Sequence, residues 1–328
     1  MFGDFSCALR GFVLYCWKSE VRAVRVPRYY LDFKCIADQC SHSCCVGWEI
    51  DVDERTLARY RALPPESGDA ITASIEENED GAHFRLCADE RCPHLNEKGL
   101  CRIICALGEE YLCDICREHP RFYNEVGGVW ECGLGCACEE AARLILSAEN
   151  YDEFVSVDAD DGEFAPETAG GFNAFAYRAA LYADLKTGHA PLALRLGEIE
   201  KTHGLGVTLS RGAHVELFEG LEYLNEAHRA RFVSGYADEF SPCGVLAQSC
   251  ERFFAYLIYR HASAAADTAE FSAAVSFAAL LTRLFYVLAS TGDEPYAECA
   301  RVISEELEYS EENTAAILAA LEKERTRG

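Results

Sequence analysis

Thirteen cysteines between Cys35 and Cys138 constrain this chain more than any other feature. The window opens with Cys35-x4-Cys40-x3-Cys44-Cys45. It continues through Cys87, Cys92, Cys101, Cys105, Cys113-x2-Cys116, Cys132, Cys136 and Cys138. Of the eighteen cysteines in all, two precede the window (Cys7, Cys16) and three follow it (Cys243, Cys250, Cys299). Cysteines used as small apolar fillers would be scattered. Bunching at this density calls for disulfides, zinc or an iron–sulfur cluster.

The start of the chain bears on that choice. MFGDFSCALRGFVLYCWKSE has no basic lead and no small-residue cleavage site, and Arg10 interrupts its apolar run; no signal peptide is expected. No apolar run approaches the roughly 20 residues a membrane span needs, so no membrane insertion is expected. These features predict a cytoplasmic protein, where thiols stay reduced and cysteine clusters bind metals or act chemically. The net charge of −25 argues against a nucleic-acid partner and against an anionic membrane surface. It is compatible with a basic protein substrate, although most acidic chains are simply soluble ones.

The pattern along the chain divides it into four. Residues 1–26 form an extension without a clear pattern, and residues 27–148 form the cysteine-rich domain. Residues 149–171 read as an acidic linker, because 149–168 hold eight acidic residues and no Lys or Arg, with Gly162, Pro166 and Gly170-Gly171 beside them. Residues 172–328 show helical spacing near 172–186, 191–203, 210–236, 244–263, 268–290, 294–308 and 312–325. The row Leu217, Leu221, Leu224 and the aromatics Phe253, Phe254, Tyr256, Tyr259, Phe285 and Tyr286 are expected to fill a helical core. The predicted fold is mainly α, with an irregular cysteine-rich metal- or cluster-binding N-terminal domain packed on an all-α C-terminal domain.

Within the cysteine-rich part, 51–63 reads as a helix capped by Asp53 and stopped by Pro64-Pro65. Gly47 permits a tight turn beside the first cysteine group. Asn96 to Gly99 reads as a turn, and the stretch from Leu100 to His119 as broadly helical, with Cys101/Cys105 and Cys113/Cys116 each on one face. Gly127-Gly128 predicts a hairpin-like turn, and Glu139 opens an amphipathic helix with Cys138 at its start. GLGCAC at 133–138 is not read as a nucleotide loop, which needs a strand before it and a helix after it.

A zinc site needs four ligands in short pairs. Cys113-x2-Cys116 is one such pair, and Cys40/Cys44 or Cys92/Cys101 could be the other. The common cluster runs C-x2-C-x2-C and C-x4-C-x2-C are absent. So is C-x3-C-x2-C, since Gly47 and Gly108 stand where the third cysteine would fall. Adjacent Cys44 and Cys45 cannot point the same way on a helix or a strand, so they serve two metals, or one ligand and one packing role. Spacing alone indicates a metal or cluster and does not choose between them.

The segments FKCIADQCSHSCCVGWEIDVDERTLARY, CPHLNEKGLCRIICALGEEYLCDICREHPRFYNE and GLGCACEEAARLIL resemble the flagellin lysine-N-methylase family, part of a wider group of cysteine-rich proteins described as zinc- or iron-chelating. CERFFAYLIYRHA at 250–262 resembles a family helix. The resemblance implies transfer of a methyl group from S-adenosylmethionine to the ε-amine of lysines on flagellin, by an enzyme holding a [4Fe-4S] cluster, with zinc as the alternative. The cysteines matching the family are Cys35, Cys40, Cys44, Cys45, Cys92, Cys101, Cys113, Cys116 and Cys138. Cys87, Cys105, Cys132 and Cys136 are extras, with Cys136 a possible substitute for Cys138. No motif marks the methyl-donor site.

Such a reaction needs a neutral lysine, whose unperturbed pKa is ~10.4. His119, Tyr123 and Glu131 are the candidate bases near the second cysteine group. Arg121 could meet the donor's carboxylate, or simply Glu118. The bland reading of His119 is a helix C-cap, and Glu251 with Arg260 reads as a structural pair.

Overall fold

A computed structural model describes residues 24–79, 81–126, 128–157, 172–187 and 190–327. Most of the extension, with Cys7 and Cys16, lies outside these residues, as do Gly127 and 158–171 of the acidic stretch. The protein is mainly helical and divides into two compact units. One comprises Lys34–Arg121 with Cys138–Glu140, and the other Phe122–Ala137 and Ala141–Gly328 with the preceding chain through Phe33.

The chain enters through β1 (Val24–Pro27) and a 3-10 turn at Arg28–Asp32. The cysteine-rich unit then forms α1 (Glu54–Arg61), α2 (Pro65–Thr72), a hairpin of β2 (Ile75–Asn78) and β3 (Gly81–Phe84), and two short helices, α3 (Arg102–Leu107) and α4 (Asp114–Glu118). Asp53 caps α1 as expected, its carboxylate accepting from the Thr56 N–H at 2.9 Å. Pro64-Pro65 ends α1 and opens α2, because proline suits a first helical turn. The stretch from Leu100 to His119 is two helices and not one. Gly108 sits at φ 101°, a conformation open to glycine, and Leu112 is extended, so the helical path is broken twice.

In the second unit, β4 (Arg121–Val126) and β5 (Val129–Leu134) turn through Gly128, at φ 77°. The helix α5 (Glu139–Ser147) follows and buries Ala141, Ala142, Ile145 and Leu146. The strand β6 (Phe154–Val157) completes a sheet ordered β4-β5-β1-β6, with β1 parallel to β5 and antiparallel to β6. These pairings explain why the cysteine-rich unit is narrower than residues 27–148: the strands at both ends of that span pair with one another. The acidic stretch likewise begins with a strand, and the helices of 172–328 share their unit with a sheet.

The remaining helices are α6 (Ala174–Lys186), α7 (Leu192–Thr202), α8 (Arg211–Gly220), α9 (Ala227–Val233), α10 (Gly244–Leu257), α11 (Thr268–Thr291), α12 (Tyr296–Ile303) and α13 (Glu311–Arg327). They follow the predicted spacing except over 210–236, where the chain leaves the helix at Gly220. The leucine row is cut there: Leu221 is buried, whereas Leu224 is exposed. Phe253, Phe254, Tyr256, Tyr259 and Phe285 are buried as expected, while Tyr286 is partly exposed and packs on Phe240. α11 corrects the expectation about apolar runs. It is long and apolar enough to cross a membrane by length and composition, and 67% of its apolar window is buried inside the fold.

Candidate metal centre

All nine family-matching cysteines fall in the cysteine-rich unit, and Cys132 and Cys136 fall in the other. The first group rides on a loop. A 3-10 turn at Ala37–Gln39 ends at Cys40, and the next residue is clamped by Glu139, whose Oε2 accepts from the Ser41 N–H at 2.7 Å and from its hydroxyl at 2.6 Å. The Cys40 thiol lies 3.5 Å from the same oxygen. Burial would raise the Glu139 carboxyl, but the Ser41 bonds outweigh it and hold it below its usual range. Cys138 immediately precedes this glutamate.

Backbone pairing brings the second group in. Val46 bridges Arg91, the Cys92 N–H bonds the Cys45 carbonyl at 2.8 Å, and the Gly47 N–H bonds Glu90 at 3.0 Å. Gly47 has φ 78°, the tight turn expected of it. The Asn96 side chain accepts from the Lys98 and Leu100 N–H groups at 2.8 and 3.0 Å, closing the 96–99 turn, and Leu95 then bridges Cys101. Cys101 and Cys113 are the residues that cap α3 and α4. Cys105, four residues after Cys101, is exposed.

Two thiol pairs shift each other's ionisation. The neighbouring Cys44 thiol pulls Cys45 down to about 7, and Cys45 drives Cys44 up in turn. The Cys116 thiol lowers Cys113 against its burial in the same way, with help from the Tyr60 hydroxyl 3.7 Å away, and Cys116 is itself raised. Burial pushes Cys92 up to about 12 and Cys40 to about 11. Every described cysteine is a free thiol. Among the described residues no three His, Cys, Asp or Glu side chains converge closely enough to hold a metal ion.

The predicted catalytic residues His119, Arg121 and Tyr123 fall at the end of α4 and on β4, the strand that follows it. His119 is the C-cap of α4, its N–H bonded to the Ile115 carbonyl at 3.2 Å. Arg121 donates to the Arg117 carbonyl at 3.2 Å. Both count with the cysteine-rich unit, whereas Tyr123 packs in the other, against Val24, Val26 and Cys132 of the sheet. Glu131 is fully buried in a bidentate pair with Arg178, at 2.6 and 2.7 Å. Glu251 does not pair with Arg260; it pairs with Arg195 at 2.9 Å and accepts from Tyr151, while Arg260 lies near Glu308. GLGCAC does join a strand to a helix, yet its glycines are covered. A Cβ on Gly133 would meet the Phe122 ring at 2.3 Å, and one on Gly135 the Tyr309 hydroxyl at 2.3 Å. Close packing, not a phosphate, accounts for them. A groove of about 640 Å³ lined by Glu54, Leu57, Arg61 and Glu77 touches none of the predicted site residues. Sequence reasoning missed the Glu139 clamp, whose only local mark is an acid in a first helical turn.

The chain is 30% identical over 130 residues to the flagellar biosynthetic protein FliU of Salmonella muenchen, covering 38% of this chain and 77% of FliU. The chain belongs to the FliU family. It is also 29% identical over 130 residues to proteins named lysine-N-methylase from Salmonella choleraesuis and Salmonella typhimurium. Those matches cover 38% of this chain and 32% of each relative, so the chain spans about a third of their length. No family model matches this FliU relative, and no solved structure matches it either.

Proposed function

We propose that this chain is a protein-lysine N-methyltransferase that moves a methyl group from S-adenosylmethionine to lysine ε-amines of flagellin in the cytoplasm, and that its cysteine-rich unit holds a [4Fe-4S] cluster or zinc. The observation that carries this reading is the 29–30% identity to FliU and to the two lysine-N-methylases. The donor set fits such a group in its chemistry. Nine thiols lie in one unit, and sulfur ligands select zinc and iron–sulfur clusters. Cys35, Cys40, Cys44, Cys45, Cys92, Cys101, Cys113, Cys116 and Cys138 are the proposed ligands. When bound, the group would tie together loops that have little regular structure of their own.

In this reading His119 and Tyr123 are the proposed proton acceptors for the target ammonium, and Arg121 the proposed partner of the donor's carboxylate. A net charge of −25 would favour encounter with a lysine-bearing surface. A second reading, a metal-binding module without catalysis, is favoured by matches that cover only 38% of the chain. Incubating the anaerobically purified chain with methyl-labelled S-adenosylmethionine and flagellin separates the two. Label on flagellin lysines supports the methylase; no label, together with no S-adenosylmethionine binding by calorimetry, leaves the module.

A further inference from the structure

The thiols of the cysteine-rich unit meet in twos. Among the described residues no three His, Cys, Asp or Glu side chains converge on one point. Cys44 keeps company with Cys45, and Cys113 with Cys116, and all four are free thiols. Two thiols held together are the reactants of a disulfide. The backbones that carry the two pairs differ. Cys44 and Cys45 are consecutive, so their Cα atoms stand ~3.8 Å apart, short of the roughly 4.4–6.8 Å of an ordinary disulfide. Cys113 is the residue before α4 and Cys116 the third residue of that helix. A side chain at the cap faces the third helical residue, and residues three apart around one turn stand less than about 7 Å apart at Cα, a span that an ordinary disulfide reaches. The Arg117 N–H closes this turn on the Cys113 carbonyl at 2.9 Å. Cys113 is buried in the apolar cluster of Tyr60 and Phe84, and Cys116 packs against that cluster. The Tyr60 hydroxyl, anchored on the Tyr111 carbonyl at 2.6 Å, lies 3.7 Å from the Cys113 sulfur, so α1 holds this thiol in place as well as α4.

We propose that Cys113 and Cys116 form an oxidative modification site, which hydrogen peroxide closes to an intramolecular disulfide and small thiols reopen. The Cys113 sulfur attacks one peroxide oxygen, the O–O bond breaks, hydroxide leaves, and Cys113 becomes a sulfenic acid. The Cys116 sulfur then attacks the Cys113 sulfur, the S–S bond forms, and the hydroxyl group leaves as water. In sum two thiols and one peroxide give one disulfide and two waters; the sulfurs lose two electrons and the peroxide gains them. Two molecules of a small thiol reverse the bond by exchange and leave as their own disulfide. The roles follow from the setting. Cys113 is buried, which suits an oxidant no larger than a peroxide, and its neighbour Cys116 favours its thiolate, the attacking form. Cys116 is partly exposed and resolves the sulfenic acid. The proposal goes beyond the function given above: it needs no metal, and the disulfide would withdraw two of the nine proposed ligands.

The test uses the full chain, reduced and treated with a chelator, then exposed to equimolar hydrogen peroxide. Remaining thiols are alkylated and the peptides mapped by mass spectrometry. The Cys113–Cys116 disulfide is expected before any other cross-link, with helical circular dichroism unchanged, and dithiothreitol is expected to remove it. In Cys116→Ser the sulfenic acid at Cys113 has no resolving thiol, so its dimedone adduct is expected to exceed that of the wild type by at least about tenfold. Should that variant fail to fold, the wild-type map still decides. Cys113 and Cys116 both left as thiols while other cysteines oxidise, a first cross-link at Cys44–Cys45, or sulfinic acid at Cys113 without a cross-link would each overturn the proposal. None of these outcomes bears on methyl transfer, so a failure here is distinct from a failure of the methylase reading.

Discussion

Glu308 shows what a buried charge does in this fold. Its carboxylate accepts from the Tyr256 hydroxyl at 2.7 Å and stands 3.0 Å from His261 Nε2 and 4.0 Å from Arg260 Nε. Burial alone would raise this carboxyl, but Arg260 and His261 outweigh it and hold it at about 2. Burial lowers the His261 imidazole in spite of that carboxylate. At both groups the unfolded chain therefore takes up its proton first, so stability falls as pH drops. The His261 share is lost below about 6.5, and the Glu308 share between about 4.5 and about 2. A shift of that size at Glu308 corresponds to something on the order of 3 kcal/mol. Urea unfolding from pH 7 to pH 3 is expected to show a falling stability whose part below pH 4.5 is smaller in Glu308→Gln. An unchanged slope in the variant would remove Glu308 as its source. Glu131 follows the other course available to a buried acid. It forms a bidentate pair with Arg178, with Arg25 at 3.6 Å and both guanidinium groups over the Phe154 ring, so two cations face the one buried carboxylate.

At the scale of elements, the termini and interruptions carry the information. The two oxygens of Asp53 accept from Thr56 and from Asp114, each at 2.9 Å, so one carboxylate ties the starts of α1 and α4. Two π-helical turns, Ile258–Ala262 after α10 and Ser304–Glu308 after α12, place His261 and Glu308 against each other. Such turns widen the helix locally and re-aim side chains that a regular α-helix would send elsewhere. The glycines of β5 and α7 make a paired prediction. A Cβ at Gly133 would lie 2.3 Å from Phe122 Cζ and 2.8 Å from Tyr259 Cε1, whereas at Gly197 nothing lies within 4 Å. Gly133→Ala is expected to cost about 1–3 kcal/mol through overpacking. Gly197→Ala, inside a helix, is expected to gain about 0.5–1 kcal/mol. Calorimetric melting temperatures should move in opposite directions; a drop in both would show that α7 is not the regular helix described.

Over the whole molecule the thiols differ most in exposure. Cys35, Cys44, Cys87, Cys105 and Cys243 are exposed, while Cys92, Cys113, Cys132, Cys136, Cys250 and Cys299 are buried. Mass-spectrometric mapping of alkylation on the native chain stripped of metal should find the first set labelled well before the second. In the loaded protein Cys35 and Cys44 should be protected by at least about tenfold, because a ligating thiolate is no longer available to the reagent. Cys87, Cys105 and Cys243 should keep their rate. Protection of Cys87 or Cys105 would put those extras among the ligands and break the nine-cysteine assignment.

The helices at 174–186, 192–202 and 268–291, the Asp53 cap and the turns at Gly47 and Asn96 were legible because each depends on residues a few positions apart. The amphipathic spacing, a cap acceptor or a positive-φ glycine acts locally wherever the chain later goes. The cysteine window was legible as a dense group of thiols for the same reason, since its message is density and spacing. What the sequence could not determine is which thiols keep company. Cys45 meets Cys92 through strand-like pairing across more than forty residues, Cys40 reaches Glu139 across 99, and Glu131 finds Arg178 across 47. Nor could periodicity reveal that strands from 24–27 and 129–134 pair in parallel and join the helical unit. Contacts of that span depend on the packing of every element between their ends, so only the tertiary structure decided them.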